Sequence, residues 1–132
     1  MAECYFKSLV DESKIEVFSA GLSAGFFSSA STEAIKIMEI YNLDLNEHVS
    51  QQLTNEKVEN ADMLITMTAS HKKEIISRWP DAAQKTFLLL EFKENSNSLD
   101  LDVFDPIGGE PEEYARCFEV MKEPLIRLSK KI

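Results

Sequence analysis

The chain lacks an excess of basic charge: 14 Lys and Arg stand against 23 Asp and Glu, for a net charge of −9. Proteins that bind nucleic acid rest on basic patches that neutralise phosphates, so the charge argues against that class. The same deficit opposes attraction to anionic lipid. Long apolar runs are also missing, and none approaches the ~20 residues of a membrane span. No basic flank followed by an apolar stretch opens the chain, so no secretory signal is expected and the expected location is cytoplasmic. Cysteine is scarce. Cys4 and Cys117 are the two present, with no CxxC pair and no zinc-ligand spacing. Each reads as a packed helical thiol, and a disulfide is not expected in a reducing compartment.

What is present suits one domain with a real core: 132 residues, 44% of them hydrophobic. Residues 1–10 carry Ala2, Tyr5, Phe6 and Leu9 at helical spacing. Residues 15–19 are β-branched and aromatic and read as a strand ended by Gly21. Ser31 or Thr32 can cap a helix running to Tyr41, and Thr54 a short one running to Asn60. The mostly apolar runs 63–67 and 86–90 read as buried strands. Between them Thr68 caps a helix with Ile75, Ile76 and Trp79 inward, and Pro80 stops it. His71, near the start of that helix, reads as exposed. Residues 91–102 form an acidic surface loop, and the last helix starts at Pro111 with Tyr114, Cys117, Phe118, Met121, Leu125 and Leu128 on its apolar face. Pro124 lies inside that pattern and predicts a kink or a break. Strands alternating with helices predict an α/β fold with a parallel sheet, and ligands in such folds bind beyond the carboxyl ends of the strands.

The sequence Asp105-Pro106-Ile107-Gly108-Gly109 places an acid on a glycine-rich turn before a helix, a good position for a proton donor. It joins the opening Met1-Ala2-Glu3, the run Phe18-Ser19-Ala20-Gly21, His48 with Gln51-Gln52-Leu53-Thr54, residues 61–68, and Tyr114. In this order the set resembles the low-molecular-weight protein tyrosine phosphatase family, which includes bacterial protein arginine phosphatases. The resemblance runs nearly end to end and implies one three-layer αβα domain over residues 1–132, with a parallel sheet of order 2-1-3-4. It implies as well a phosphate-binding loop of pattern Cys-x5-Arg-Ser-Pro directly before Met-Ala-Glu. Six residues beyond Cys4 stands Val10, and six beyond Cys117 stands Glu123, so neither cysteine fits that loop.

The expectation is therefore an N-terminally truncated domain whose first, central strand is missing and whose nucleophilic Cys and phosphate-binding Arg are absent. Three origins are open: a sequence started at an internal methionine, a non-catalytic binding or regulatory relative, and a fragment. The resemblance implies two-step hydrolysis of a phosphorylated protein through a phosphocysteine, with Asp105 as general acid and then base and with no metal or other cofactor. It implies loop support by Ser19 and His48, and a substrate cleft walled by Phe26 or Phe27. Ile107 stands where tyrosine-selective relatives carry aromatic residues, which weakens phosphotyrosine and leaves phosphoarginine open. The missing strand would leave two open sheet edges, through which the chain could self-associate.

Overall fold

The computed structural model describes residues 1–22, 30–94 and 100–132. Helix α1 (Ala2–Leu9) buries Phe6. Helix α2 (Thr32–Ile40) starts at Ser31, whose hydroxyl accepts from the Ala34 N–H at 3.3 Å, and it buries Ala34 and Met38. Thr54 caps α3 (Asn55–Asn60) in the same way. Strand β1 (Leu64–Thr66) leads to α4 (Ala69–Arg78), then a 3-10 turn at Pro80–Lys85 and strand β2 (Thr86–Leu88). A second 3-10 turn, Leu89–Phe92, follows, and α5 (Pro111–Ser129) closes the chain.

β1 and β2 pair in parallel, with Leu64 opposite Thr86 and Thr66 opposite Leu88. Alternation along β1 sends its side chains to opposite faces. Leu64 packs with Val58, Ile75 and Ala82 beneath α3 and α4. Ile65 packs against the larger core of α1, α2 and α5, built around Phe6, Met38, Phe118 and Leu125. The sheet thus lies between two helical layers, the αβα arrangement of an α/β fold.

Three expectations need correction. Residues 15–19 make no strand ladder, although their burial alternates as a strand's does: Ile15, Val17 and Ser19 are half-buried, Glu16 and Phe18 exposed. A ladder needs a neighbour's donors and acceptors, and among the described residues nothing pairs with this segment or with the second edge of β1. Pairing resumes at Gly21, whose N–H donates to the Gln51 carbonyl (2.8 Å) and whose carbonyl accepts from the Leu53 N–H (2.9 Å). The second correction is that β2 ends at Leu88 rather than at residue 90, because the Glu91 side chain accepts from the Leu88 N–H and turns the chain. The third is that α5 runs unbroken through Pro124. The proline ring is fully buried, so core packing compensates for the missing donor to Val120, an exposed residue.

Candidate active site

The segment from Asp100 to Gly109 has little regular structure, yet it is tied at several points. The Val103 N–H donates to the Met67 carbonyl just beyond β1 (2.8 Å), and the Val103 side chain is buried. Asp102 Oδ1 accepts from the Ala69 N–H at 2.7 Å, and the Cys117 thiol lies 3.4 Å from the Phe104 carbonyl. Asp105 Oδ1 then accepts from the Ile107 N–H at 3.0 Å, a side-chain turn characteristic of Asp. The Gly109 N–H closes a β-turn on the Pro106 carbonyl at 2.8 Å, with Gly108 at φ 77° in its third position. That φ calls for glycine. The carboxylate is exposed, and Oδ2 bonds to nothing among the described residues. Ile107 projects from the turn, 79% exposed.

A second polar group surrounds Glu3 in the first turn of α1. Glu3 Oε2 accepts from the Ser19 hydroxyl at 2.9 Å and lies 3.3 Å from His48 Nδ1, while Oε1 lies 3.2 Å from Lys7 Nζ. Gln51 Nε2 donates to the Ser19 carbonyl at 2.9 Å and ties down the same segment. The Glu3 side chain is mostly buried, so these partners replace water around its charge. A cleft of about 520 Å³ opens beside Glu3 and His48, and Asp105 is not among its lining residues.

Burial pushes the Met1 α-amine below its ordinary value, against the opposing pull of Cys4, Glu3 and Cys117. The Cys117 thiol is pushed up by burial and further by Asp105, while the Met1 amine pulls it back.

Of the residues singled out from sequence, Asp105 and Ile107 share one turn, and Ser19 and His48 meet on one carboxylate. Phe26 lies outside the described residues, as does Phe27. His71 contributes its backbone N–H to the Thr68 cap and leaves its side chain exposed. Sequence reasoning missed Glu3 and Asp102. Glu3 with Lys7 reads as an ordinary i,i+4 surface pair, and Asp102 as one more acid in an acidic loop. Among the described residues no cluster of three or more His, Cys, Asp or Glu side chains is placed to hold a metal ion, and no helix is long and apolar enough to cross a membrane.

Comparison with known proteins covers the whole chain. The family described as "Low molecular weight phosphotyrosine protein phosphatase" matches residues 1–132. The protein-arginine-phosphatase of Bacillus subtilis (strain 168) is 34% identical over 134 residues, spanning 100% of this chain and 87% of that protein. Among solved structures, a YwlE mutant from Bacillus subtilis superposes with a TM-score of 0.84 at 34% identity, covering 98% of this chain and 86% of its own. The low molecular weight protein tyrosine phosphatase from T. tengcongensis does so with a TM-score of 0.86 at 30% identity, covering 99% and 88%.

Proposed function

The chain belongs to the low molecular weight phosphotyrosine protein phosphatase family, and from that premise we propose that it supplies the acid/base side of a protein phosphatase site, with Asp105 as the proton donor and phosphoarginine as the preferred substrate. The observation that carries the reading is the Asp105 turn. One carboxylate oxygen is fixed by the Ile107 N–H, the other is unengaged among the described residues, and Gly108 beyond takes the positive φ that the turn requires. A general acid needs such a fixed, accessible oxygen.

In the first step a cysteine thiolate attacks phosphorus, the bond to the leaving group breaks, and Asp105 protonates that group. In the second, the Asp105 carboxylate takes a proton from water as the water attacks the phosphocysteine and phosphate leaves. The thiolate and its arginine come from the Cys-x5-Arg loop of the family, and no such pattern occurs in these 132 residues. The chain as it stands is therefore inactive on this reading. Phosphoarginine is favoured because Ile107 offers an aliphatic edge where a phenol ring would want an aromatic face. The protein-arginine-phosphatase name of a relative matched over the full chain points the same way. A cytoplasmic setting suits two thiols that remain free. A non-catalytic binding role draws no support from these relatives. Self-association through the open edge of β1 belongs to the same reading, and sedimentation that stays monomeric at all concentrations removes it.

The test is a fusion that places a Cys-x5-Arg-Ser-Pro segment, preceded by a short apolar strand, directly before Met1. Phosphate release from phosphoarginine peptides should exceed that from phosphotyrosine peptides, and the 132-residue chain alone should release none from p-nitrophenyl phosphate. Turnover by the unfused chain overturns the assignment of the nucleophile. A fusion that prefers phosphotyrosine overturns the substrate.

A further inference from the structure

Asp105 stands three residues beyond a carboxylate that touches no part of the proposed chemistry. Asp102 is exposed, yet its Oδ1 accepts the Ala69 N–H at 2.7 Å. Ala69 is the first residue of α4, and its N–H is one of the donors that a helix leaves without an internal partner. Thr68 caps the same helix from within, its hydroxyl accepting from the His71 N–H at 3.1 Å. The helix already has its own capping residue, so Asp102 is an addition from a distant part of the chain. Its own N–H donates to Asp100 Oδ1 at 3.1 Å, which sets the bend of the chain just before it.

The neighbouring residue completes a clamp. The Val103 N–H donates to the Met67 carbonyl at 2.8 Å, and the Val103 side chain is buried in the larger core. Asp102 and Val103 therefore grip both sides of the junction from β1 to α4, the former on the first N–H of the helix and the latter on a carbonyl just past the strand. One attachment would let the following residues pivot about the buried valine. Two attachments, two residues apart along the receiving chain at Met67 and Ala69, fix the direction in which residues 104 and 105 leave. Beyond them the loop is held by the Cys117 thiol, a weak donor, and by the two turns of residues 105–109.

We propose that Asp102 is a positioning residue for Asp105: by docking on the N-terminus of α4 it aims the acid loop at the site. This rests on the reading of Asp105 as the acid. The competing possibility is that Asp102 merely caps α4. The two differ in what happens at the Ile107 and Gly109 amides, which belong to the acid turn and not to the helix.

Amide hydrogen exchange on the 132-residue chain decides between them and needs no turnover, so its outcome is separate from that of the hydrolysis test. In Asp102→Ala, Ile107 and Gly109 should exchange ~10-fold faster along with Ala69, while Phe118 and Leu125 in α5 keep their rates. Asp102→Asn keeps an acceptor oxygen and should stay within ~3-fold of the wild type. Ala69→Pro removes the same bond from the other partner. Proline is well suited to the first helical position, and Thr68 already holds the extended backbone that precedes a proline, φ −133° and ψ 156°. This variant keeps α4, so it carries the test even if Asp102→Ala does not fold, and it should again accelerate Ile107 and Gly109. Unchanged exchange at those two amides in Ala69→Pro, or in an Asp102→Ala chain that folds, overturns the proposal. Failure of Asp102→Asn to restore them also overturns it, since the effect would then be one of charge rather than of a held position.

Discussion

The Asp105 loop and the polar group around Glu3 are built in opposite ways. The loop of residues 102–109 is held mainly through its backbone: the Val103 and Gly109 N–H groups donate to the Met67 and Pro106 carbonyls, the Ala69 N–H donates to the Asp102 side chain, and the Asp105 carboxylate hangs from that frame. The second group converges on one side chain, with Ser19, His48 and Lys7 gathered on the single carboxylate of Glu3. On the first side, the Asp105 carboxylate can be changed without removing the backbone bonds that hold the loop. On the second, one residue carries the arrangement, and removing it strands three partners at once.

The largest stability effect is expected where that asymmetry is greatest. Glu3→Ala should cost about 2–3 kcal/mol in urea unfolding, because the half-buried Ser19 and His48 lose an ionised acceptor. A cost under about 0.5 kcal/mol, the range of an ordinary surface site, would erase the distinction between the two sides. Gly108→Ala should cost about 1 kcal/mol, purely from the φ of 77°, since a Cβ there meets nothing within 4 Å. A neutral result would mean that the turn is looser than its bonds imply. Ile107→Tyr should leave stability unchanged and move the fusion's preference toward phosphotyrosine by about 2- to 10-fold, the worth of one aromatic pair.

The smallest effect is in pH dependence. Burial, with Asp105 adding to it, raises the Cys117 thiol above its ordinary value of 9.0. The unfolded chain then ionises first, so stability is full below that value and falls as pH climbs from it toward the folded-state value. Cys4, also raised by burial, contributes with the same sign. Cys117→Ala should reduce the alkaline slope without abolishing it. A slope unchanged by the substitution would place the ionisation elsewhere.

The same contrast explains what was legible in the sequence. The acid turn could be read because its parts are contiguous: Asp105, Pro106 and two glycines declare a turn with a carboxylate on it. The caps Ser31, Thr54 and Thr68 were readable for the same local reason. The polar group around Glu3 joins positions 3, 19 and 48, and nothing in periodicity distinguishes Glu3 from a solvated partner of Lys7. Asp102 was hidden likewise, since its partner Ala69 is 33 residues away. Residues 15–19 show the limit of pattern reading from the other direction. Their β-branched and aromatic composition reads as a strand and their burial alternates as a strand's does, but a strand also needs a neighbour, which no local pattern reveals.

The most direct measurement is turnover of the Cys-x5-Arg fusion with and without Asp105→Asn. Asparagine keeps the oxygen that accepts from the Ile107 N–H, so the loop and the unfolding midpoint should be unchanged while turnover falls by about 10²- to 10⁴-fold, the usual worth of a general acid. Undiminished turnover in that variant would show that Asp105 is a turn residue and that the proton comes from elsewhere.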